Sequence, residues 1–410
     1  MENIDFKTLK ALDDSFGSPF YIMDSSQYRQ NINNFLNSFR RRYGKVISGY
    51  SFKTNYVPAL CRVAKEEGCY AEVVSEMEYE LAERIGFKKI IFNGPIKRSG
   101  ILAKAIENGA IVNLDSVYEI DWICQYKKSH PDKNLKVGLR VNINLLDENG
   151  KSTIQCGLRF GRFGFPEDIL AENIDRLKEN DIRIVSIHGH TSSSDRAIVN
   201  YRVITNHLLA VCEKFQLNDL EYFDIGGGYF GAAPEGFDLT GRPTYQDYAD
   251  CIIDEVENSA WFMKYQPFIV IEPGSSVTAN VFTYYTKVYQ TKKIGNVNFV
   301  IVDGTVFDVK PTLHQNNLPH DVFCGNGKNE TCICDVVGST CMEKDVLLKQ
   351  VTLPNLSAGD FIRFKGVGAY TICMTPTFIN YLAPILSFEN DDIIEVRRRQ
   401  TIDDILTIYK

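Results

Sequence analysis

Glu221-Tyr222-Phe223-Asp224-Ile225-Gly226-Gly227-Gly228 is a short β-rich run that stops on three consecutive glycines. Glycine permits a tight turn, and successive backbone N–H groups in such a turn converge on an anion. Similar runs recur on either side. Val46 to Phe52, Cys69 to Val74, Lys89 to Phe92, Ala110 to Leu114, Lys136 to Ile143 and Arg183 to His188 precede it, and Pro267 to Ile271 follows. Helix-like stretches separate most of them. Met77, Leu81, Ala82 and Ile85 share one helical face, and Ser75 with Glu78 reads as a capping box in front of it. Asp115 to Glu119 opens another helix with an acidic first turn. Eight strands alternating with helices predict an α/β fold built on a β/α barrel; an open sheet of six or seven strands is the competing reading.

After Glu272 the pattern changes. Val281 to Lys287, Phe299 to Asp303, Cys332 to Val337, Asp360 to Lys365 and Ile393 to Arg399 read as strands with few helices between them. They predict a second, mostly β domain, with the boundary near residue 266. Pro19 to Met23 precedes the first barrel helix and can pair with that domain. The expected division is therefore a barrel over 25–265, inserted into a β domain made of 1–24 plus 266–410.

The 410 residues suffice for two domains with large cores. Forty-five basic against 52 acidic side chains leave a charge of −7, which gives no support to a nucleic-acid or anionic-membrane surface. The longest apolar runs, such as Phe299 to Val302, are far too short for a membrane helix. Met1 to Asp5 is acidic and lacks a basic-then-apolar leader, so a cytoplasmic protein is expected. Its 11 cysteines are scattered without a framework, which favours reduced, mostly buried thiols. Cys324, Cys332 and Cys334 match no zinc spacing, and no metal is expected.

In a β/α barrel the chemistry sits on the loops after the strands. The first strand ends in Ser51-Phe52-Lys53-Thr54-Asn55, which puts a lysine at the mouth. Such a lysine either snorkels to the surface or, partly desolvated, offers a free amine for Schiff-base chemistry. The sixth ends in His188-Gly189-His190-Thr191-Ser192-Ser193-Ser194, where alternation sets both histidines on one face. The seventh ends in the glycines, and the eighth in Ile271-Glu272-Pro273-Gly274. An amine, a planar histidine, an anion cradle and a carboxylate around one barrel fit pyridoxal 5′-phosphate: lysine to aldehyde, glycines to phosphate, carboxylate to the pyridine nitrogen.

With these motifs the sequence resembles the fold-type III pyridoxal-phosphate decarboxylases, the ornithine/diaminopimelate/arginine decarboxylase family, from Pro19 to about Pro384. The resemblance implies an alanine-racemase-like barrel with a C-terminal β domain. It makes Lys53 the Schiff-base lysine, stacks His190 on the cofactor ring, sets Ser193, Gly226, Gly227 and Gly228 around the phosphate, and counts Gly274 and Ser275 among the cofactor-binding residues. Glu272 pairs with the pyridine nitrogen, and Glu72 and Arg140 line the cofactor side. Gly338-Ser339-Thr340-Cys341 matches the motif of a catalytic cysteine, and Gly368-Ala369-Tyr370 that of a tyrosine reaching the phosphate. In this family the cysteine loop serves the opposite subunit, which implies a homodimer with shared active sites.

The departures bear on substrate. Ser275 stands where the family has a phosphate-binding arginine after Glu-Pro-Gly. Lys310-Pro311 replaces an Arg-Pro substrate contact, and His314 replaces a tyrosine-like position. Met342, with Glu343 one place on, follows the cysteine where the family has an acidic group for a distal amine. An apolar side chain cannot pair with ammonium, so a substrate other than diaminopimelate or ornithine is expected, free or carrier-linked and suited to a specialised pathway. The leading expectation is an amino-acid α-decarboxylase, a carbon–carbon lyase. A racemase or epimerase on the same fold is the first alternative, although such enzymes place arginine where Glu272 stands. A catalytically silent regulatory binder is the second.

Overall fold

The protein is described here from a computed structural model covering residues 4–325, 330–389 and 392–409. Met1 to Asn3, part of the expected leaderless start, lie outside the described residues. The chain divides into two compact units, one of Arg29–Gly231 with Gly241–Ser276, the other of Met1–Tyr28, Ala232–Thr240 and Val277–Lys410.

In chain order β1 (Phe20–Met23) belongs to the second of these, and the next eight strands form a closed parallel barrel. They are β2 (Val46–Ser51), β3 (Tyr70–Val73), β4 (Ile90–Phe92), β5 (Ile111–Leu114), β6 (Leu135–Arg140), β7 (Ile182–His188), β8 (Tyr222–Asp224) and β9 (Phe268–Ile271). Each of the eight expected runs is a strand. Closure is made by β2 against β9, with Val46 opposite Ile269 and Ser48 opposite Ile271. All six residues of β2 are buried, as expected for a parallel strand covered on both faces. Ile47, Ile91, Ile111 and Val270 pack together as one apolar cluster, with Tyr70 and Tyr222 against it. Higher up the interior turns polar. A Cβ on Gly138 of β6 would lie 2.0 Å from Asn113 Oδ1, so the glycine makes room for an asparagine inside the barrel.

The barrel's last strand moves the junction. Phe268–Ile271 completes the sheet, so the barrel unit runs to Ser276 rather than ending near 266. The segment Ala232–Thr240 also joins the β unit, where Lys365 Nζ meets Glu235 Oε2 at 2.9 Å.

The helices follow their expected signals with one difference. Ser75 caps the helix Glu76–Ile85 by accepting the Glu78 N–H at 3.2 Å. The Glu78 carboxylate does not return to Ser75, however; it accepts the Val74 N–H at 2.8 Å. In the helix Val117–Ser129, Glu119 reaches back to accept the Asp115 N–H at 2.6 Å.

The β unit holds β10 (Phe282–Ile294), β11 (Val297–Val302), β12 (His320–Phe323), β13 (Thr331–Val337), β14 (Val346–Pro354), β15 (Phe361–Lys365), β16 (Ile385–Glu389) and β17 (Asp392–Arg397). With β1 they make one nine-stranded sheet. Strand β1 pairs antiparallel with β10 and parallel with β16, as anticipated for the Pro19 to Met23 run. Strands β12, β14 and β16 are additional to the expected set. In β14 the alternation breaks at Lys349-Gln350, both exposed, with Gln350 at φ 53, which hides the strand's period. Among the described residues no helix is long and apolar enough to cross a membrane.

Candidate active site

Lys53 sits on a single 3-10 turn, Phe52–Thr54, directly after β2. Its Nζ lies 3.2 Å from Oε2 of Glu72, which ends its course inside β3 and is 1% exposed. Ser51 Oγ donates to the same oxygen. Asn93, after β4, joins two strand ends: its Nδ2 donates to Glu72 Oε1 at 3.0 Å and to Glu272 Oε1 at 2.5 Å. Asn113 of β5 continues the relay, donating from Nδ2 to Asn93 Oδ1 at 2.8 Å. The lysine is thus flanked by a carboxylate from the strand on each side, Glu72 from β3 and Glu272 beyond β9.

Glu272 is buried at 2% exposure. Burial opposes its ionisation, but the interaction with the buried His188 and the positive charge of Lys53 outweigh that cost and hold the carboxyl below the ordinary carboxylate range. Asp224, at the end of β8, goes the other way: burial first, and the charge on Glu272 second, push its pKa well up. Two buried carboxyls side by side cannot both ionise, so Glu272 carries the charge and Asp224 the proton. His188, Asp224 and Glu272 offer ligand-type atoms within 4.8 Å of one another, all in the barrel interior. His188 Nε2 lies 3.7 Å from Glu272 Oε1, and Glu272 is held instead by Asn93.

His190 is a neutral ring. Burial, then repulsion from Lys53, lowers its pKa well below 6.5. Its Nδ1 accepts the Gly227 N–H at 2.8 Å, which leaves the proton on Nε2, 3.4 Å from Ser192 Oγ. A neutral, flat imidazole is suited to stacking on an aromatic cofactor. His188 is buried beneath it, the two rings 6.3 Å apart and nearly parallel. Arg140, ending β6, is held by the His190 carbonyl at 2.9 Å and by Asp115 Oδ1 at 3.3 Å.

The glycine turn makes close approaches that any side chain would prevent. Gly226 has φ 71, and a Cβ there would fall 2.7 Å from the His190 ring. A Cβ on Gly227 would lie 2.3 Å from the Glu272 carbonyl. Two of the three glycine amides are committed within the protein: Gly226 N–H to Asp224 Oδ1 at 2.9 Å, and Gly227 N–H to His190 Nδ1. Gly274 brings the β9 loop against the Lys53 turn, since a Cβ would meet Thr54 Oγ1 at 2.3 Å. Ser193 Oγ receives the Arg196 N–H at 3.0 Å and Asn200 Nδ2 at 2.9 Å.

Lys53, Glu72, Arg140, His190, Ser193, Gly226, Gly227, Gly228, Glu272, Gly274 and Ser275 therefore all belong to the barrel unit and gather on its strand ends. The amine, the ionised carboxylate, the neutral ring and the close-packed glycines fit pyridoxal 5′-phosphate. Asn93, Asn113 and Arg196 were not anticipated. The signal for Asn113 is a polar residue inside the apolar run Ile111-Val112-Asn113-Leu114. Asn93 stands directly after a strand, like Lys53.

Cys341, Tyr370, Lys310, His314, Met342 and Glu343 belong to the β unit. Cys341 and Glu343 are exposed and Met342 half-buried. Their loop is organised by the Asp345 carboxylate, which takes the Thr340 N–H at 2.9 Å and the Val306 N–H at 2.6 Å. Gly338 is required there, because a Cβ would sit 2.3 Å from that carboxylate. Tyr370 is exposed with φ 52. Lys310 is buried at 3% exposure with its Nζ 3.5 Å from the Asn316 carbonyl, and burial lowers its pKa. His314 is exposed on the surface of the same unit.

Residues 29–279 match the family model of the pyridoxal-dependent decarboxylases, over its pyridoxal-binding domain. A probable chloroplastic diaminopimelate decarboxylase of Oryza sativa subsp. japonica is 28% identical over 401 residues, covering 96% of this chain and 79% of the relative. The diaminopimelate decarboxylase of Aquifex aeolicus is 26% identical over 407 residues, covering 97% and 93%. Among solved structures, Helicobacter pylori diaminopimelate decarboxylase complexed with L-lysine superposes with a TM-score of 0.85 at 26% identity, covering 98% of each chain. The matched domain spans most of the chain and contains the lysine, the glycine turn and Glu272 whose geometry fits the cofactor, so the chain belongs to the pyridoxal-dependent decarboxylases of fold type III.

Proposed function

We propose that Lys53, His190, Glu272 and Cys341 carry the α-decarboxylation of an amino acid other than ornithine or diaminopimelate. The observation that carries the reading is the geometry of the barrel mouth: an amine 3.2 Å from Glu72, and a buried Glu272 that accepts from Asn93 Nδ2 at 2.5 Å. When bound, pyridoxal 5′-phosphate supplies a carbonyl for the amino group and a ring that accepts the electrons of the broken Cα–carboxylate bond. Glu72 keeps Lys53 Nζ oriented at the mouth. Glu272, charged and held by Asn93, is suited to accept the N–H of a protonated pyridine nitrogen, which is what makes the ring a strong electron sink. An arginine at this position would leave that nitrogen unprotonated, so Glu272 favours decarboxylation over racemisation. The neutral His190 ring packs without adding a competing cation. Cys341 is the proton donor to the former α-carbon, supplied in a homodimer by the loop of the opposite subunit. Glu72, Arg140, Ser193, Gly226, Gly227, Gly228, Gly274, Ser275 and Tyr370 line the cofactor in this reading, and the protein works in the cytoplasm.

The substrate follows from the β unit. Lys310 is a buried cation suited to a distal carboxylate, and Met342 offers nothing to a distal ammonium. Both favour a substrate whose far end is acidic or apolar. The relatives' names favour diaminopimelate, which carries an ammonium and a carboxylate at each end. Incubating the holoenzyme in heavy water with a panel of L- and D-amino acids, meso-diaminopimelate and carrier-linked amino acids separates these by mass spectrometry. Loss of carbon dioxide with one deuterium gained is the expected result for an acidic or apolar member. The same result confined to diaminopimelate would overturn the substrate assignment. Deuterium gained without carbon loss would overturn decarboxylation itself.

A further inference from the structure

We propose that Arg196, on the loop after β7, is the cation that binds the cofactor phosphate in this protein, acting beside Ser275. The inference rests on the cofactor assignment above. A phosphate dianion at a barrel mouth requires compensating positive charge or several free N–H donors. The glycine turn is short of donors, because Gly226 and Gly227 already give their amides to Asp224 Oδ1 and His190 Nδ1. The position after Gly274, a further place from which a cation could reach the turn, holds a serine.

The guanidinium of Arg196 occupies the space between those two segments. Its Nη1 donates to the Tyr229 carbonyl, the first residue past the glycines, at 3.2 Å, and to Ser275 Oγ at 3.3 Å. The plane is supported from behind by Phe230, whose ring centre is 5.1 Å from Cζ. The backbone is equally well held. Arg196 sits in the left-handed region at φ 50, an uncommon conformation for a non-glycine residue. Its N–H is bound by Ser193 Oγ at 3.0 Å and its carbonyl by the Tyr248 hydroxyl at 2.7 Å. Tyr248 itself packs edge-on against Tyr229 and Tyr201, so both ends of the Arg196–Tyr229 contact share one aromatic platform. A side chain anchored this firmly by one Nη, with planar donors remaining on the fork, is pre-organised for an oxyanion. Its neighbours Ser193 and Ser275 add hydroxyls on the same side of the turn.

The test compares affinity for pyridoxal 5′-phosphate with affinity for pyridoxal, which lacks the phosphate. Full-length protein is freed of cofactor with hydroxylamine and retitrated by absorbance, with folding checked by thermal melting. Arg196→Gln is expected to weaken pyridoxal 5′-phosphate binding by roughly 10- to 100-fold while leaving pyridoxal binding within about twofold. Introducing Ser275→Arg into that variant should recover part of the loss. Ser275→Asp in the otherwise unaltered chain, which sets a carboxylate against the guanidinium, should weaken only the phosphorylated form; it serves if Arg196→Gln does not fold. Unchanged affinity for pyridoxal 5′-phosphate, or equal weakening of both ligands, would overturn the proposal and leave Arg196 as a structural strut. If the unaltered protein takes up neither ligand, the cofactor assignment falls as well, which separates the two failures.

Discussion

Asn93 shows what one side chain does at this site. Its amide nitrogen spans two carboxylates from different strands, and its oxygen takes the Asn113 amide. All four groups are buried, so each bond replaces water that cannot enter. Asn93→Leu keeps the volume but strips a charged Glu272 of its donor and leaves the Asn113 amide unpaired. Hydrogen bonds to charged groups contribute about 1.5–3 kcal/mol, and the expected loss of unfolding free energy is roughly 2–3 kcal/mol, read from urea denaturation of the holoenzyme. The same variant should raise the Glu272 pKa, moving the cofactor's absorbance titration upward. A wild-type midpoint would show that Glu272 needs no such donor.

At the scale of an element, the helix Glu76–Ile85 stores a pH dependence. Burial raises the Glu78 carboxyl to about 7, opposed by the Val74 N–H bond. A carboxyl whose folded pKa lies above its unfolded value of 4.5 binds protons more tightly when folded. Its stabilising contribution is complete below pH 4.5 and is lost as pH rises through 7. The loss approaches about 3 kcal/mol for a shift of this size in a buried group. Glu78→Gln retains an acceptor for Val74 N–H and removes the titration. Compared with the unaltered chain, it should gain stability steadily between pH 5 and 8 in urea unfolding; parallel curves would show that Glu78 does not titrate there. The half-made capping box has the same origin. Glu78 is drawn to Val74, at the end of β3, and away from its own helix cap.

For the whole molecule, the proposed cofactor residues of the barrel and the cysteine loop lie in different units, and the proposed homodimer supplies each barrel with the loop of the opposite subunit. Lys53→Ala and Cys341→Ala each remove one contribution. If sites are shared, mixing the two variants after subunit exchange gives heterodimers with one intact site. Random pairing predicts recovery to about a quarter of unaltered activity. Activity no higher than the mean of the two variants would show that each subunit's site is complete within its own chain, and sedimentation equilibrium reports the assembly directly.

Local pattern carried the barrel. Continuous apolar runs such as Ile90-Ile91-Phe92, closed by glycine or a polar pair, are legible because burial on both faces leaves no alternation to misread. The placement of Lys53, His190 and Glu272 directly after barrel strands was legible for the same reason, because each follows an apolar run at the mouth. The point where the barrel unit ends was not, because its run to Ser276 is set by contacts with the rest of the barrel and by no local signal. Nor could spacing reveal that Asn93 joins Glu72 to Glu272, or that Arg196 reaches Ser275 from another loop. The ionisation of Glu272 over Asp224 likewise depends on which charges surround each carboxyl once both are buried. Periodicity records which residues leave water. Which of those residues then meet, and which of two buried acids keeps its charge, are long-range consequences of barrel closure that no local stretch encodes.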